Sequence, residues 1–205
     1  MKNEFKAQFP TITILVDEPL MNYTFTKTGG PADLLAFPKS AEETKALVDA
    51  CRIQQIPWMV LGNASNLIVK DGGIRGLVIM LSDMTAVTVT DTLITAEAGA
   101  KLIDTTYEAL AASLTGFEFA CGIPGSIGGA VFMNAGAYDG EIREVFESCD
   151  VLLADGSILT LTNAEMDFSY RHTIIQEMDG IILRARFRLT PGDHQQIEHR
   201  MKELT

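Results

Sequence analysis

Hydrophobic and polar positions change period several times along this chain, and each change marks an element. Ser40-Ala41-Glu42-Glu43 is a capping box, and Leu47, Ala50 and Cys51 then recur at helical spacing as far as Gln54, so a helix is predicted there. Residues 57–61 read as a short buried strand that stops at Gly62. Leu67-Ile68-Val69 and residues 77–81 read the same way, with the turn Asp71-Gly72-Gly73 between them. Val87-Thr88-Val89-Thr90 alternates as a half-buried strand does. In 101–114 a helix is predicted with Ile103, Tyr107, Leu110 and Leu114 on one face. Residues 151–161 form a hairpin whose Asp155-Gly156 supplies the positive-φ turn. In 181–189, Leu183, Ala185, Phe187 and Leu189 alternate with Arg184, Arg186 and Arg188. Asp193 caps a last helix that carries Ile197, Met201 and Leu204, with no C-cap glycine and no later element to cover that stripe. Two readings stand for it: a terminal helix docked on its domain, or a helix cut where it opens another one.

Strand clusters separated by single helices fit an α+β arrangement better than a doubly wound sheet. A composition shift near Met84-Thr85 marks a boundary between two α+β lobes. The hydrophobic fraction of 47% over 205 residues supports a real core. The formal net charge of −11 argues against nucleic acid or an anionic membrane as partner, since neutralising phosphates takes clustered Lys and Arg. It leaves room for one anionic ligand held by backbone amides and a single Arg. Cys51, Cys121 and Cys149 form no CxxC pair, which points to a reducing compartment. The first residues lack the apolar core of a signal peptide, and no run approaches the roughly 20 apolar residues of a membrane helix. A soluble, cytosolic protein is expected.

Three clusters carry candidate chemistry. The first is Cys121-Gly122-Ile123-Pro124-Gly125-Ser126-Ile127-Gly128-Gly129-Ala130 followed by Asn134-Ala135-Gly136-Ala137-Tyr138, with no charge before Asp139. Missing Cβ atoms expose peptide N–H groups, which suits a diphosphate; a tight turn into a buried small-residue helix is the competing reading. The second is the loop Gly62-Asn63-Ala64-Ser65-Asn66-Leu67, able to offer amides and side-chain oxygens to an anion, although its residues are also ordinary loop formers. Neither cluster has GxGxxG spacing, and no P-loop or GxSxG motif occurs. The third is Phe168-Ser169-Tyr170-Arg171-His172-Thr173, after a short helix capped by Thr162 and Glu165. Its Arg171 can clamp a carboxylate or stabilise an enolate, or it can pair with one of the many surface acids. His172, His194 and His199 have no metal-ligand spacing with cysteine, so no metal is expected. On residues alone, a flavin-dependent oxidoreductase and a non-catalytic nucleotide-binding module both remain open.

Taken together, Asn22-Tyr23-Thr24-Phe25-Thr26-Lys27-Thr28-Gly29-Gly30, Leu61 to Asn66, Gly122 to Gly129, Asn134 to Tyr138 and Tyr170-Arg171 resemble, in order, the UDP-N-acetylenolpyruvoylglucosamine reductases of bacterial peptidoglycan synthesis, in wording most like the Gram-positive type. The resemblance implies the FAD-binding fold shared with vanillyl-alcohol oxidases, two α+β lobes gripping FAD. Its boundaries would be an extension at 1–20, a first lobe at 21–83, a second at 84–190, and the start of a substrate domain at 191–205. It implies that Gly62, Asn63, Ala64, Ser65, Asn66 and Leu67 bind the diphosphate. Ile123, Pro124, Gly128, Gly129, Phe132, Asn134, Gly136 and Ile182 would line the flavin, and Tyr170 and Arg171 would meet the substrate, with Arg171 at the enolate. The first loop has no His or Cys, so the FAD is expected to be non-covalent. NADPH would be the electron donor and UDP-N-acetylglucosamine enolpyruvate the substrate, in the bacterial cytoplasm, with a part in cell-wall building, cell shape and division. In the family a Ser assisted by a Glu protonates the enolate from a carboxy-terminal domain. Nothing in 190–205 matches that motif, so a truncated reductase that binds FAD without useful turnover is expected.

Overall fold

Two sheets, one mixed and one antiparallel, organise the computed structural model, which describes residues 2–205. The chain divides into two units: one runs up to Met84 and includes Ala154–Ser157, and the other holds Thr85–Leu153 and Ile158–Thr205.

The first unit contains α1 (Lys2–Ala7), β1 (Thr13–Pro19), β2 (Pro31–Phe37), α2 (Ala41–Gln54), β3 (Trp58–Leu61) and β4 (Ile74–Met80). Its sheet has the order β1-β2-β4-β3, antiparallel between β1 and β2 and parallel elsewhere. The helix α2 links β2 to β3, which lie on either side of β4 and both pair with it in parallel. The Ser40 hydroxyl accepts from the Glu43 amide at 3.2 Å, and the helix ends at Gln55 with φ 55°. Its buried face is Thr44, Leu47, Val48 and Cys51, so Val48 stands where Ala50 was expected.

Two strand expectations need correction. β3 lies at the sheet edge and is only partly buried, with Met59 44% exposed and Leu61 buried. Leu67-Ile68-Val69 forms no strand. Ile68 is 78% exposed while Val69 joins the core with Leu20, Leu35 and Val78, and the adjoining Lys70 carbonyl accepts from Gly30 at 3.0 Å. That apolar triplet anchors a loop instead of extending a sheet.

The second unit contains β5 (Val87–Thr90), β6 (Leu93–Glu97), α3 (Leu102–Ala111), β7 (Leu114–Thr115), α4 (Ile127–Phe132), β8 (Gly136–Ala137) and β9 (Gly140–Glu141). It continues with β10 (Phe146–Leu153), β11 (Ile158–Thr162), β12 (Gly180–Arg188), β13 (Thr190–Pro191) and α5 (His194–Glu203). The antiparallel sheet runs β11-β10-β12-β6-β5. In β12 the predicted alternation is present: Leu183, Ala185 and Phe187 are buried, and the Phe187 ring lies 4.9 Å from Phe117 and 6.3 Å from Phe146. On the other side of the strand, Arg186 makes a two-pronged pair with Asp150 at 3.0 Å for each bond, and Arg184 Nε reaches the same carboxylate at 2.8 Å. The β10–β11 hairpin turns through Gly156 at φ 88°, as Asp155-Gly156 predicts.

The helix expected over 101–114 ends at Ala111, Ser113 turns the chain at φ 55°, and Leu114 pairs with Pro191. Its buried face is Leu102, Thr105, Thr106, Ala109 and Leu110, while Tyr107 is 52% exposed. The threonine hydroxyls donate to the carbonyls of Lys101 at 2.9 Å and Ile103 at 2.7 Å, so these polar residues bury without penalty and rotate the face away from the purely apolar stripe. In α5, Asp193 accepts from Gln196 at 2.9 Å, and Ile197, Met201 and Leu204 pack with Leu110 and Cys121. The terminal stripe is therefore covered within its own unit, as the reading of a helix docked on its domain expects. All three cysteines are free and buried, and burial pushes the thiols of Cys51 and Cys149 up to about 12.

Candidate functional site

The loop 62–67 leaves the end of β3 in the first unit. Ala64 takes φ 50° and is buried, its carbonyl accepting from Phe25 at 3.3 Å, so the loop is pinned to the segment 22–30. That segment is tied internally: the Thr24 hydroxyl donates to the Thr28 carbonyl at 2.7 Å. With Ala64 turned inward, Asn63 and Asn66 are exposed and Gly62, Ser65 and Leu67 half-buried. The polar residues thus sit on a main chain whose course is set from beneath.

In the second unit, Ser126 caps α4, its hydroxyl accepting from Gly129 at 3.3 Å. The first-turn amides are committed to the protein: Ile127 donates to Ala100 and Gly128 to Ala98, both at 2.8 Å. This differs from the expectation that the glycines free peptide donors for a diphosphate. The glycines themselves divide by role. A Cβ on Gly128 would lie 3.0 Å from the Ala98 Cβ and 3.2 Å from its carbonyl oxygen, so this residue is small in order to dock the helix. A Cβ on Gly125 would meet nothing within 4 Å, and one on Gly129 only the Ser126 hydroxyl at 3.4 Å. Neither of these two has a positive φ. Neither backbone conformation nor packing within the chain requires a glycine at these two positions, and the main chain there is open to close approach.

Of the other residues assigned to the flavin, Ile123 and Gly136 are half-buried, Pro124 is exposed and Phe132 is 37% exposed. Ile182 is buried in β12. Asn134 is 1% exposed, with its amide engaged inside the unit: Nδ2 donates to Glu141 at 2.9 Å and to the Ser169 carbonyl at 3.0 Å, and Oδ1 accepts from the Arg143 amide at 3.0 Å. Its side chain fastens three segments together. Glu141 was not singled out in the sequence, and Ser169 only as a member of the third cluster, since nothing local marks either as a partner of Asn134.

Tyr170 and Arg171 form the tip of a tight hairpin closed by two main-chain bonds between Ser169 and His172, 3.1 and 3.2 Å. Arg171 holds φ 55°, a conformation that costs a non-glycine residue on the order of 1–2 kcal/mol. Its guanidinium donates to the Gly136 carbonyl at 3.2 Å and lies 5.6 Å from the Tyr170 ring centre, within cation–π range. Every other arginine is in an ion pair: Arg52 with Asp49, Arg75 with Asp33, Arg143 with Glu141, Arg184 and Arg186 with Asp150, Arg188 with Glu147, and Arg200 with Glu203. Among the described residues Arg171 has no carboxylate within ion-pair distance, so its remaining donors are available to an outside anion. Tyr170, 86% exposed, stands beside it. No cluster of His, Cys, Asp and Glu among the described residues could hold a metal ion.

Comparison with known proteins shows the family and the fold. Residues 32–162 match the model of the FAD binding domain. A UDP-N-acetylenolpyruvoylglucosamine reductase of Enterococcus faecalis is 63% identical over 194 residues, covering 95% of this chain and 65% of that relative. One of Streptococcus agalactiae is 57% identical over 205 residues, covering 100% of this chain and 68% of the relative. The chain thus spans about two thirds of the length of the curated relatives it matches. The solved reductase of Thermus caldophilus superposes with a TM-score of 0.78 at 34% identity, covering 94% of this chain and 67% of that one. A glucooligosaccharide oxidase of Acremonium strictum, with TM-score 0.67 at 20% identity over 93% of this chain and 42% of its own, shares the fold alone. The α+β fold is accordingly the FAD-binding fold of the vanillyl-alcohol oxidase type. The chain belongs to the FAD binding domain family and, within it, to the UDP-N-acetylenolpyruvoylglucosamine reductases.

Proposed function

We propose that this chain is the flavin-binding part of a reductase of peptidoglycan precursor synthesis, which uses NADPH to convert UDP-N-acetylglucosamine enolpyruvate to UDP-N-acetylmuramate. The observation that carries the reading is Arg171, which lacks a carboxylate partner among the described residues and is hydrogen-bonded to Gly136 of the glycine segment. Gly62 through Leu67 would hold the diphosphate. Ile123, Pro124, Gly128, Gly129, Phe132, Asn134, Gly136 and Ile182 would line the ring system, Gly129 by close approach and Asn134 by shaping the segment. The attachment is non-covalent: the first loop has no His or Cys, and Cys121 is buried with its thiol facing the Met201 carbonyl at 3.6 Å.

When bound, FAD supplies the hydride chemistry between the nicotinamide and the enolpyruvyl double bond. The Arg171 guanidinium binds the substrate carboxylate and stabilises the negative charge that develops there, a role for which a fixed donor is worth most. Its strained backbone and the Ser169–His172 pair keep it from swinging to a surface acid. Tyr170 offers a ring and a hydroxyl beside the same group. No nucleic acid or membrane partner is proposed for a chain of net charge −11, and no helix among the described residues is long and apolar enough to cross a membrane. The bacterial cytoplasm is its proposed location.

The purified protein should be yellow, release intact FAD on acid precipitation, and bleach with NADPH. Colourless protein that takes up no added FAD would overturn the reading in favour of a non-catalytic nucleotide-binding module.

A further inference from the structure

Gln176 is exposed, yet its amide nitrogen donates to two main-chain carbonyls, Phe132 at 2.9 Å and Arg171 at 3.0 Å. Both partners are pure acceptors, so the amide orientation follows from the contacts: only an NH2 group serves two carbonyls. One carbonyl closes α4, the helix of the glycine segment, and the other belongs to the strained tip residue. Three further bonds join the same two pieces. The Thr173 hydroxyl donates to the Phe132 carbonyl at 2.9 Å, Asn134 Nδ2 donates to the Ser169 carbonyl at 3.0 Å, and the Arg171 guanidinium donates to the Gly136 carbonyl at 3.2 Å. Of these groups, Gln176 alone touches the Arg171 main chain, where φ is 55°.

We propose that Gln176 is a positioning residue that locks the Tyr170–Arg171 tip to the end of the glycine segment, setting the direction in which Arg171 meets a substrate carboxylate. Resting on the reductase reading, this makes the ring-lining segment and the substrate-clamping arginine one hydrogen-bonded body. Binding of the flavin at 123–136 then also fixes Arg171. What the brace requires is a pair of donors at this length, not an amide as such.

The test uses the FAD-loaded complete enzyme with Gln176→Met, which keeps length and loses both donors, and Gln176→Lys, which keeps donors. Two measurements are made: the rate of cleavage after Arg171 by an arginine-specific protease, and the affinity for UDP-N-acetylglucosamine enolpyruvate from its perturbation of flavin absorbance. In Gln176→Met, cleavage should accelerate and affinity fall by about tenfold each, at unchanged melting temperature and FAD affinity. Gln176→Lys should stay near wild type on both. In an Arg171→Ala background, Gln176→Met should weaken the ligand no further, since the effect passes through the arginine. Unchanged cleavage and affinity in Gln176→Met would overturn the proposal, as would an equal loss with and without Arg171. Faster cleavage in a protein whose wild type shows no ligand-induced flavin change would keep the brace and overturn the reductase reading instead.

Discussion

Arg184 and Arg186 on β12 and Arg171 on its hairpin tip are the same side chain in two opposite situations. The strand arginines converge on Asp150, which is 7% exposed and also accepts from the Thr160 hydroxyl at 2.9 Å. They share the charge of that one carboxylate, and their work is to hold β10 against β12. Arg171 has a strained backbone, a carbonyl and a ring for company, and no acid among the described residues. In a chain with 27 acidic residues, this absence of an acid partner is what supports the proposed role of Arg171 toward an outside carboxylate. Adjacent glycines repeat the lesson on a smaller scale: Gly128 is small because Ala98 is close, Gly129 although nothing crowds it.

The largest expected effect tests the tip. Arg171→Ala should lower the substrate-reduction half-reaction of the complete enzyme by about 10²–10³, leaving flavin reduction by NADPH and the melting temperature unchanged. Equal losses in both half-reactions would place Arg171 with the structural arginines.

Next, Asp150→Asn should remove about 2 kcal/mol of unfolding stability in urea at neutral pH, without changing FAD uptake, because two arginines lose their partner. Burial pushes this carboxyl up, but the hydrogen bonds from Arg186 and Thr160, with the Arg184 charge, outweigh it and hold it below the usual range. Its contribution is therefore in force above the unfolded value of about 4 and is lost as pH falls through the lower folded value. The difference between wild type and Asp150→Asn should shrink in acid; a gap independent of pH would mean the pair is not what stabilises.

The smallest effect separates the glycines. Gly128→Ala should destabilise by about 1 kcal/mol against Ala98, whereas Gly129→Ala should stabilise by a similar amount through helix propensity. Flavin fluorescence titration should show weaker FAD binding in Gly129→Ala, more so in Gly129→Val. Unaltered flavin occupancy in Gly129→Val would erase the distinction between the two.

Legibility followed range. The Ser40 cap, the Asp155-Gly156 turn and the alternation of β12 are set within a few residues, and the structure holds each of them, although Glu43 accepts from the Lys39 amide and not from that of Ser40, so the capping box is not closed. The face of α3 was misread because Thr105 and Thr106 bury by bonding to their own helix, which an apolar count cannot register. The triplet at 67–69 has strand composition but no neighbouring strand, and pairing is never written in the triplet itself. In the candidate site, the glycine segment and Tyr170-Arg171 were visible as motifs. Gln176 was not, since its partners lie 5 and 44 residues away and neither spacing has a pattern.

By itself the sequence determined the family and the α+β class, and it supplied the motifs on which the proposed site rests, because motif order and local period are properties of the chain. Only the tertiary structure decided which arginine stays unpaired, which glycine faces open space and which glutamine braces the tip. These depend on what is brought alongside by folding: Gly136 is 35 residues from Arg171, and Arg186 is 36 from Asp150. A guanidinium is structural or available according to whether such a neighbour is a carboxylate or a carbonyl, and that identity is set by packing.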